Sequence, residues 1–205
     1  MRRGRAARYL LSAVAWLALA RPAHAHILLT GVDNLVHAVR HLILAPETVL
    51  TLLAAALLAG LRGESASRSA ALAGLGAWLL ATAFAYLSGF GADFALSTAV
   101  LLLMLGLFIA ADLRLDATTI AAVAGLTGLL AGLRHGSAAA GLPLPFAAVM
   151  FALDTTILLI AWAAGYLVLR YAPWARIGVR VAGSWMAAIA LLYFGWLLRG
   201  GGVSH

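Results

Sequence analysis

The stretch from Gly31 to Thr48 gathers most of the groups able to do chemistry. Asp33, His37 and His41 recur at every fourth position, so a helix would line all three along one face. Two imidazoles one turn apart can share a divalent ion, with a carboxylate completing the site. Chance also produces this spacing, and His37 and Arg40 would be equally at home among lipid headgroups. Glu47 follows directly on Pro46. An acid within an apolar run is expensive and faces a partner or a cavity; His41 and Arg134 are the partners on offer. The proline removes one backbone hydrogen bond and frees a carbonyl, that of Leu42 if the turn is α-helical. Freed carbonyls beside polar side chains recur at transporter binding sites.

Two further groups stand apart in the chain. His135, within Arg134-His135-Gly136-Ser137, closes an apolar run where it could meet His37 and His41, or equally stand in water as a loop histidine. Asp154 lies near the middle of another run, followed by Thr155 and Thr156. An acid at that depth is a functional candidate; the plainer alternative is a structural hydrogen bond to a threonine or a backbone group. Asp93, Asp112 and Asp116 fall at the ends of runs, where they are expected only to solvate loops. No nucleophile elbow, Walker motif, zincin motif or dinucleotide fingerprint occurs. Hydrolysis and ATP-driven pumping have no visible machinery, and the expectation is that the protein is not an enzyme.

The elements that must position these groups follow from composition. The 205 residues are 64% hydrophobic and 10% charged, with a mean hydropathy of +1.02. Soluble domains run nearer about half apolar and a quarter charged, and disordered chains are poorer still in Leu, Ile, Val and Phe. Both classes are excluded, and a lipid bilayer is the expected surrounding. The net charge of +7 comes from arginines scattered between apolar runs, where they set orientation and meet anionic headgroups. No basic patch interleaved with aromatics points to nucleic acid. Cysteine is absent, so any metal would bind through His, Asp, Glu or backbone oxygen.

The first 25 residues read as an address. Arg2, Arg3, Arg5 and Arg8 precede a short apolar run from Tyr9 to Ala20, and Ala23-His24-Ala25 offers a small-x-small cleavage site. That is the pattern of a secretory signal peptide, the run being short for the roughly 17–25 residues of a spanning helix. Residues 26–205 are then expected to form a single all-α domain, a bundle of six transmembrane helices. The runs are Leu42–Leu61, Ser69–Ser88, Phe94–Ala111, Ala117–Leu133, Leu144–Leu169 and Val181–Leu198. With the mature start at His26 outside, the inner loops hold Arg62, Arg68, Arg114, Arg170, Arg176 and Arg180. The outer segments hold Arg40, Arg134 and Arg199, which agrees with the positive-inside rule. The expected location is a bacterial inner membrane, with both mature termini periplasmic. Small residues, as in 54–60 and 73–77, would let helix backbones approach closely. Tyr171, Trp174, Tyr193 and Trp196 lie near run ends as interfacial anchors.

This pattern resembles the HupE/UreJ family, the hydrogenase and urease accessory membrane proteins regarded as nickel permeases. The likeness covers nearly the whole mature chain: a leader ending before His26, six short Ala/Gly/Leu-rich spans, and a histidine-bearing segment entering the first span. The family motif there has two histidines four apart, then a proline, then an Asp-His pair. Here His37 and His41 match, Leu42 stands for the proline, and Glu47-Thr48 for the pair. Ala95-Leu96-Ser97 resembles the family's third helix, Arg134-His135-Gly136 its second motif, and Arg176 to Gly183 its last helix. Around the second motif Ser137 and Ala138 replace a richer histidine and glutamate set, and the fifth span lacks the family's histidine. The resemblance implies a permease that passes a divalent transition metal, Ni2+ foremost, toward the cytoplasm for hydrogenase or urease maturation proteins. His26, Asp33, His37 and His41 would collect the ion, and Glu47, His135 and Asp154 would offer successive weak sites. The ion is cargo, and no tightly bound cofactor is expected. The rival expectation is a membrane scaffold or accessory subunit that kept the fold and lost the ligands.

Overall fold

Backbone amides inside hydrocarbon can bond only to one another, so an apolar chain without strand partners satisfies them as helices. The computed structural model describes residues 46–91, 94–171 and 174–199, and every regular element among them is an α-helix. In chain order these are α1 (Pro46–Leu61), α2 (Glu64–Ser88), α3 (Ala95–Ala110), α4 (Ala117–Ala139), α5 (Leu144–Tyr171) and α6 (Ala175–Leu198). The expected leader, residues 1–25, lies outside the described residues, as do His26, Asp33, His37, His41 and the carbonyl of Leu42. Four helices, α2, α4, α5 and α6, are long and apolar enough to cross a membrane. The other two have 16 residues each; a rise of about 24 Å is short of the roughly 30 Å of hydrocarbon.

Three helices outrun their apolar stretches. α2 begins at Glu64 rather than Ser69, α4 continues to Ala139 rather than Leu133, and α6 begins at Ala175 rather than Val181. Charge ends an apolar run without ending a helix, because long side chains at a helix end reach out to the headgroup layer. His135 is therefore a helical residue, and Arg176 and Arg180 sit on a helix rather than in a loop. Stops and starts have local causes. Asp116 caps α4 by accepting from the Thr118 and Thr119 amides at 3.1 and 3.2 Å, and Gly89 ends α2 with φ 66, a left-handed turn that suits glycine.

α1 runs through the middle of the bundle and packs against α3, α4 and α5. Its Ala54, Ala55, Ala56, Leu58 and Ala59 are almost fully buried. Lipid tails are as apolar as leucine, so helices associate by close van der Waals contact rather than by escape from water. The tightest contact is α2 on α4. A Cβ placed on Gly128, Gly132 or Gly136 would lie 2.1, 2.4 or 2.3 Å from the carbonyl oxygens of Gly74, Trp78 and Thr82. A Cβ on Gly106 would meet the Ala187 amide nitrogen and Gly183 carbonyl of α6 at 2.6 and 2.8 Å, and one on Gly60 the Leu169 side chain and Gly165 carbonyl of α5 at 2.7 and 3.0 Å. The reverse surface is apolar: Leu72, Leu80, Leu87 and Leu192 are each at least 70% exposed. Burying one leucine is worth about 1.5–3 kcal/mol in water, so a surface of this kind belongs against lipid. The chain is a membrane protein.

Candidate functional site

α4 brings Arg134 and His135 to one end of the bundle. Arg134 and His135 are adjacent, so their side chains leave the helix about 100° apart and reach different neighbours. Arg134 Nη2 donates to Glu47 Oε1 of α1 at 2.8 Å, with the two side chains 23% and 13% exposed. His135 Nδ1 lies 2.9 Å from Asp154 Oδ2 of α5. Of the two partners considered for Glu47, Arg134 is paired with it, and His41 lies outside the described residues. Asp154 does not use a threonine: Thr155 and Thr156 donate to the carbonyls of Phe151 and Ala152, leaving the carboxylate to the imidazole.

The His135–Asp154 pair sits in an aromatic and aliphatic frame. Trp78 of α2 meets the imidazole edge-on at 6.2 Å, and Phe151 meets Trp78 at 6.5 Å and Tyr86 at 5.8 Å, all T-shaped. Such edge contacts fix ring orientation. The glycine contact of Gly132 with Trp78 holds α2 close enough for this frame to form. Beside the pair is a cavity of about 100 Å³, lined by His135 and Asp154 and otherwise by apolar side chains, among them Leu52, Leu53 and Leu158. An ionised carboxylate in such surroundings requires a partner, and the imidazole supplies it.

The opposite end of the bundle is arginine-rich. Arg62, following α1, bonds to Asp112 at 2.6 Å, and Arg176 approaches the same carboxylate at 3.6 Å. Burial pushes the Asp112 carboxyl up, but the Arg62 hydrogen bond and the charges of Arg62, Arg176 and Arg180 outweigh it and hold it below the usual carboxylate range. Asp112 thus ties α1 to the turn after α3, and Asp116 caps α4; neither merely solvates a loop. Tyr166 donates to Glu64 at 3.2 Å and Arg170 pairs with Glu64 at 3.2 Å. These three residues and Arg176 line a larger cavity of about 360 Å³.

Of the seven expected metal ligands, Glu47, His135 and Asp154 are described. The structure joins the last two directly and sets Glu47 one α4 residue away, on Arg134. No group of three or more His, Asp or Glu able to hold a metal ion gathers among the described residues. Sequence reasoning missed the His135–Asp154 contact and the Trp78 frame. It also passed over three buried threonines, Thr51, Thr98 and Thr127, and read the buried Thr48 only as standing in for a family histidine. Threonine is common in membrane helices and bonds to its own helix, so nothing in its spacing signals a cluster formed from three helices. No family model, curated protein or solved structure matches the chain.

Proposed function

We propose that this protein is a multi-pass inner-membrane permease of HupE/UreJ type, carrying a divalent transition metal ion toward the cytoplasm, with Ni2+ the first ion to test. In this reading the six helices all span, the end bearing Glu47, His135 and Asp154 faces the periplasm with both mature termini, and metalloenzyme maturation proteins receive the ion. The observation that supports it most is the His135–Asp154 pair beside a cavity. A carboxylate on one imidazole nitrogen fixes the tautomer and ring orientation of metal-binding histidines and raises the basicity of the other nitrogen. With Nδ1 held by Asp154, Nε2 is the donor left for a borderline metal ion. Glu47 would act one step earlier, since an arriving dication competes with Arg134 for the carboxylate. The inside-negative potential favours entry by roughly 2.3 kcal/mol per charge per 100 mV.

One observation favours the scaffold instead. Glu47 and Asp154 each have a built-in partner, so neither needs a metal to be stable. Metal accumulation separates the two readings, measured in cells expressing wild type, Asp154→Asn and His135→Gln at matched membrane levels. A permease gives nickel uptake above the empty vector that falls at least tenfold in both variants. Uptake no better than the vector for nickel, cobalt and zinc alike would leave the scaffold.

A further inference from the structure

Thr48 and Thr51 lie on α1, Thr98 on α3 and Thr127 on α4; each is at most 4% exposed. All four line one cavity of about 10 Å³, together with Leu101, Leu130 and Ala131. Their hydrogen bonding divides them into two kinds. Thr51 donates its hydroxyl proton to the Glu47 carbonyl at 2.5 Å, and Thr127 donates to the Val123 carbonyl at 2.8 Å. Both keep oxygen lone pairs able to accept. The Thr48 and Thr98 hydroxyls are buried and have no partner among the described residues. Most buried hydroxyls find a partner, and one that does not calls for an explanation, an ordered water or an ion among them.

We propose that this cavity binds one ordered water molecule, which accepts from Thr48 and Thr98 and donates to Thr51 and Thr127. The size agrees: about 10–15 Å³ of this kind is the least that holds a single water. The hydrogen-bond inventory agrees more sharply. Among the described residues two protons lack acceptors, and two oxygens have already committed their protons to helix carbonyls. A water, with two lone pairs and two protons, completes all four. A sodium-sized cation fits the volume but not the inventory, because it gives the Thr48 and Thr98 protons nothing to bond to, and no carboxylate lines the cavity. The water joins α1, α3 and α4 through polar bonds beside the Glu47–Arg134 pair of α1 and α4, and it does so whether or not the chain carries a metal.

The test compares Thr48→Val and Thr98→Val with the wild-type full chain in detergent or nanodiscs. Valine keeps the shape and removes the hydroxyl. With the water bound, each substitution removes one hydrogen bond and lowers the unfolding midpoint by roughly 2–4 °C. In a dry cavity each valine removes an unsatisfied hydroxyl and raises the midpoint, which would overturn the proposal. A wild-type midpoint that rises in sodium chloride relative to choline chloride, with the rise abolished in both variants, would assign a cation and overturn it too. Independently of any variant, a wild-type map that resolves ordered solvent should show one peak about 2.5–3.0 Å from the four hydroxyl oxygens; an empty cavity in that map would refute it.

Discussion

Replacing Gly132 by alanine adds one methyl group at the tightest kind of contact in the bundle. Its Cβ would lie 2.4 Å from the Trp78 carbonyl oxygen, 1.0 Å inside the 3.4 Å at which ordinary contact begins. The obstacle is backbone, so no rotamer change relieves it and α4 must withdraw from α2. Withdrawal is resisted by the neighbouring contacts at Gly128 and Gly136, which are equally close and would open together. Overpacking of this kind costs about 1–3 kcal/mol, and backbone-on-backbone contact belongs at the upper end. Alanine's better helix propensity returns up to about 1 kcal/mol, leaving a net loss of about 2 kcal/mol. Gly76 is the control, on α2 with nothing within 4 Å of an added Cβ, so Gly76→Ala should gain up to about 1 kcal/mol from propensity alone. Unfolding by SDS in mixed micelles, followed by tryptophan fluorescence, would measure both. A Gly132→Ala protein as stable as Gly76→Ala would refute the claim that backbone approach holds these helices together.

The Glu47–Arg134 pair gives a second prediction. Arg134→Gln leaves a carboxylate 13% exposed without its partner and should cost about 2 kcal/mol, below the ~3–5 kcal/mol of a fully buried pair because solvent reaches both groups. The double variant Glu47→Gln/Arg134→Gln should recover most of that loss in the same SDS titration; additive losses would show that the pair is not coupled. Asp112 gives a third, in pH. Its folded carboxyl is held below the ordinary range, so its contribution is fully present above the unfolded pKa and is lost as pH falls through the folded value. Wild type should therefore be more stable than Asp112→Asn at neutral pH by a constant margin that closes in acid. A margin that widens toward acid would reverse the sign and refute the arginine clasp.

Hydrophobicity made the helices legible and left their ends obscure. Leu144–Leu169 was close to α5 because Pro143 and Gly141 interrupt the chain there, whereas α2, α4 and α6 continue past charged residues that break a hydropathy pattern but not a helix. The small-residue runs pointed to close packing, yet the glycines in closest contact are Gly128, Gly132 and Gly136. Their four-residue spacing is a small-residue stripe legible in the sequence and overlooked there; what the sequence does not contain is their partners, carbonyls on another helix. At the candidate site, depth alone marked Asp154, and Arg134 was among the partners named for Glu47. The contact between His135 and Asp154 depends on which way α4 and α5 face, a relation between two helices that a linear pattern does not contain.

The glycine contacts divide the bundle into three two-helix blades: α2 with α4, α3 with α6, and α1 with α5. Within a blade, glycines bring the two backbones close. Both pairs at the α4 end, Glu47–Arg134 and His135–Asp154, bridge the α2/α4 blade to the α1/α5 blade, and Asp112 with Arg62 bridges α1/α5 to α3/α6. The four threonines come from α1, α3 and α4, one helix of each blade. The polar pairs at the two ends therefore join blades that are closely packed within themselves, while Arg176 on Asp112 and Arg180 on the Ala110 carbonyl add polar ties inside the α3/α6 blade.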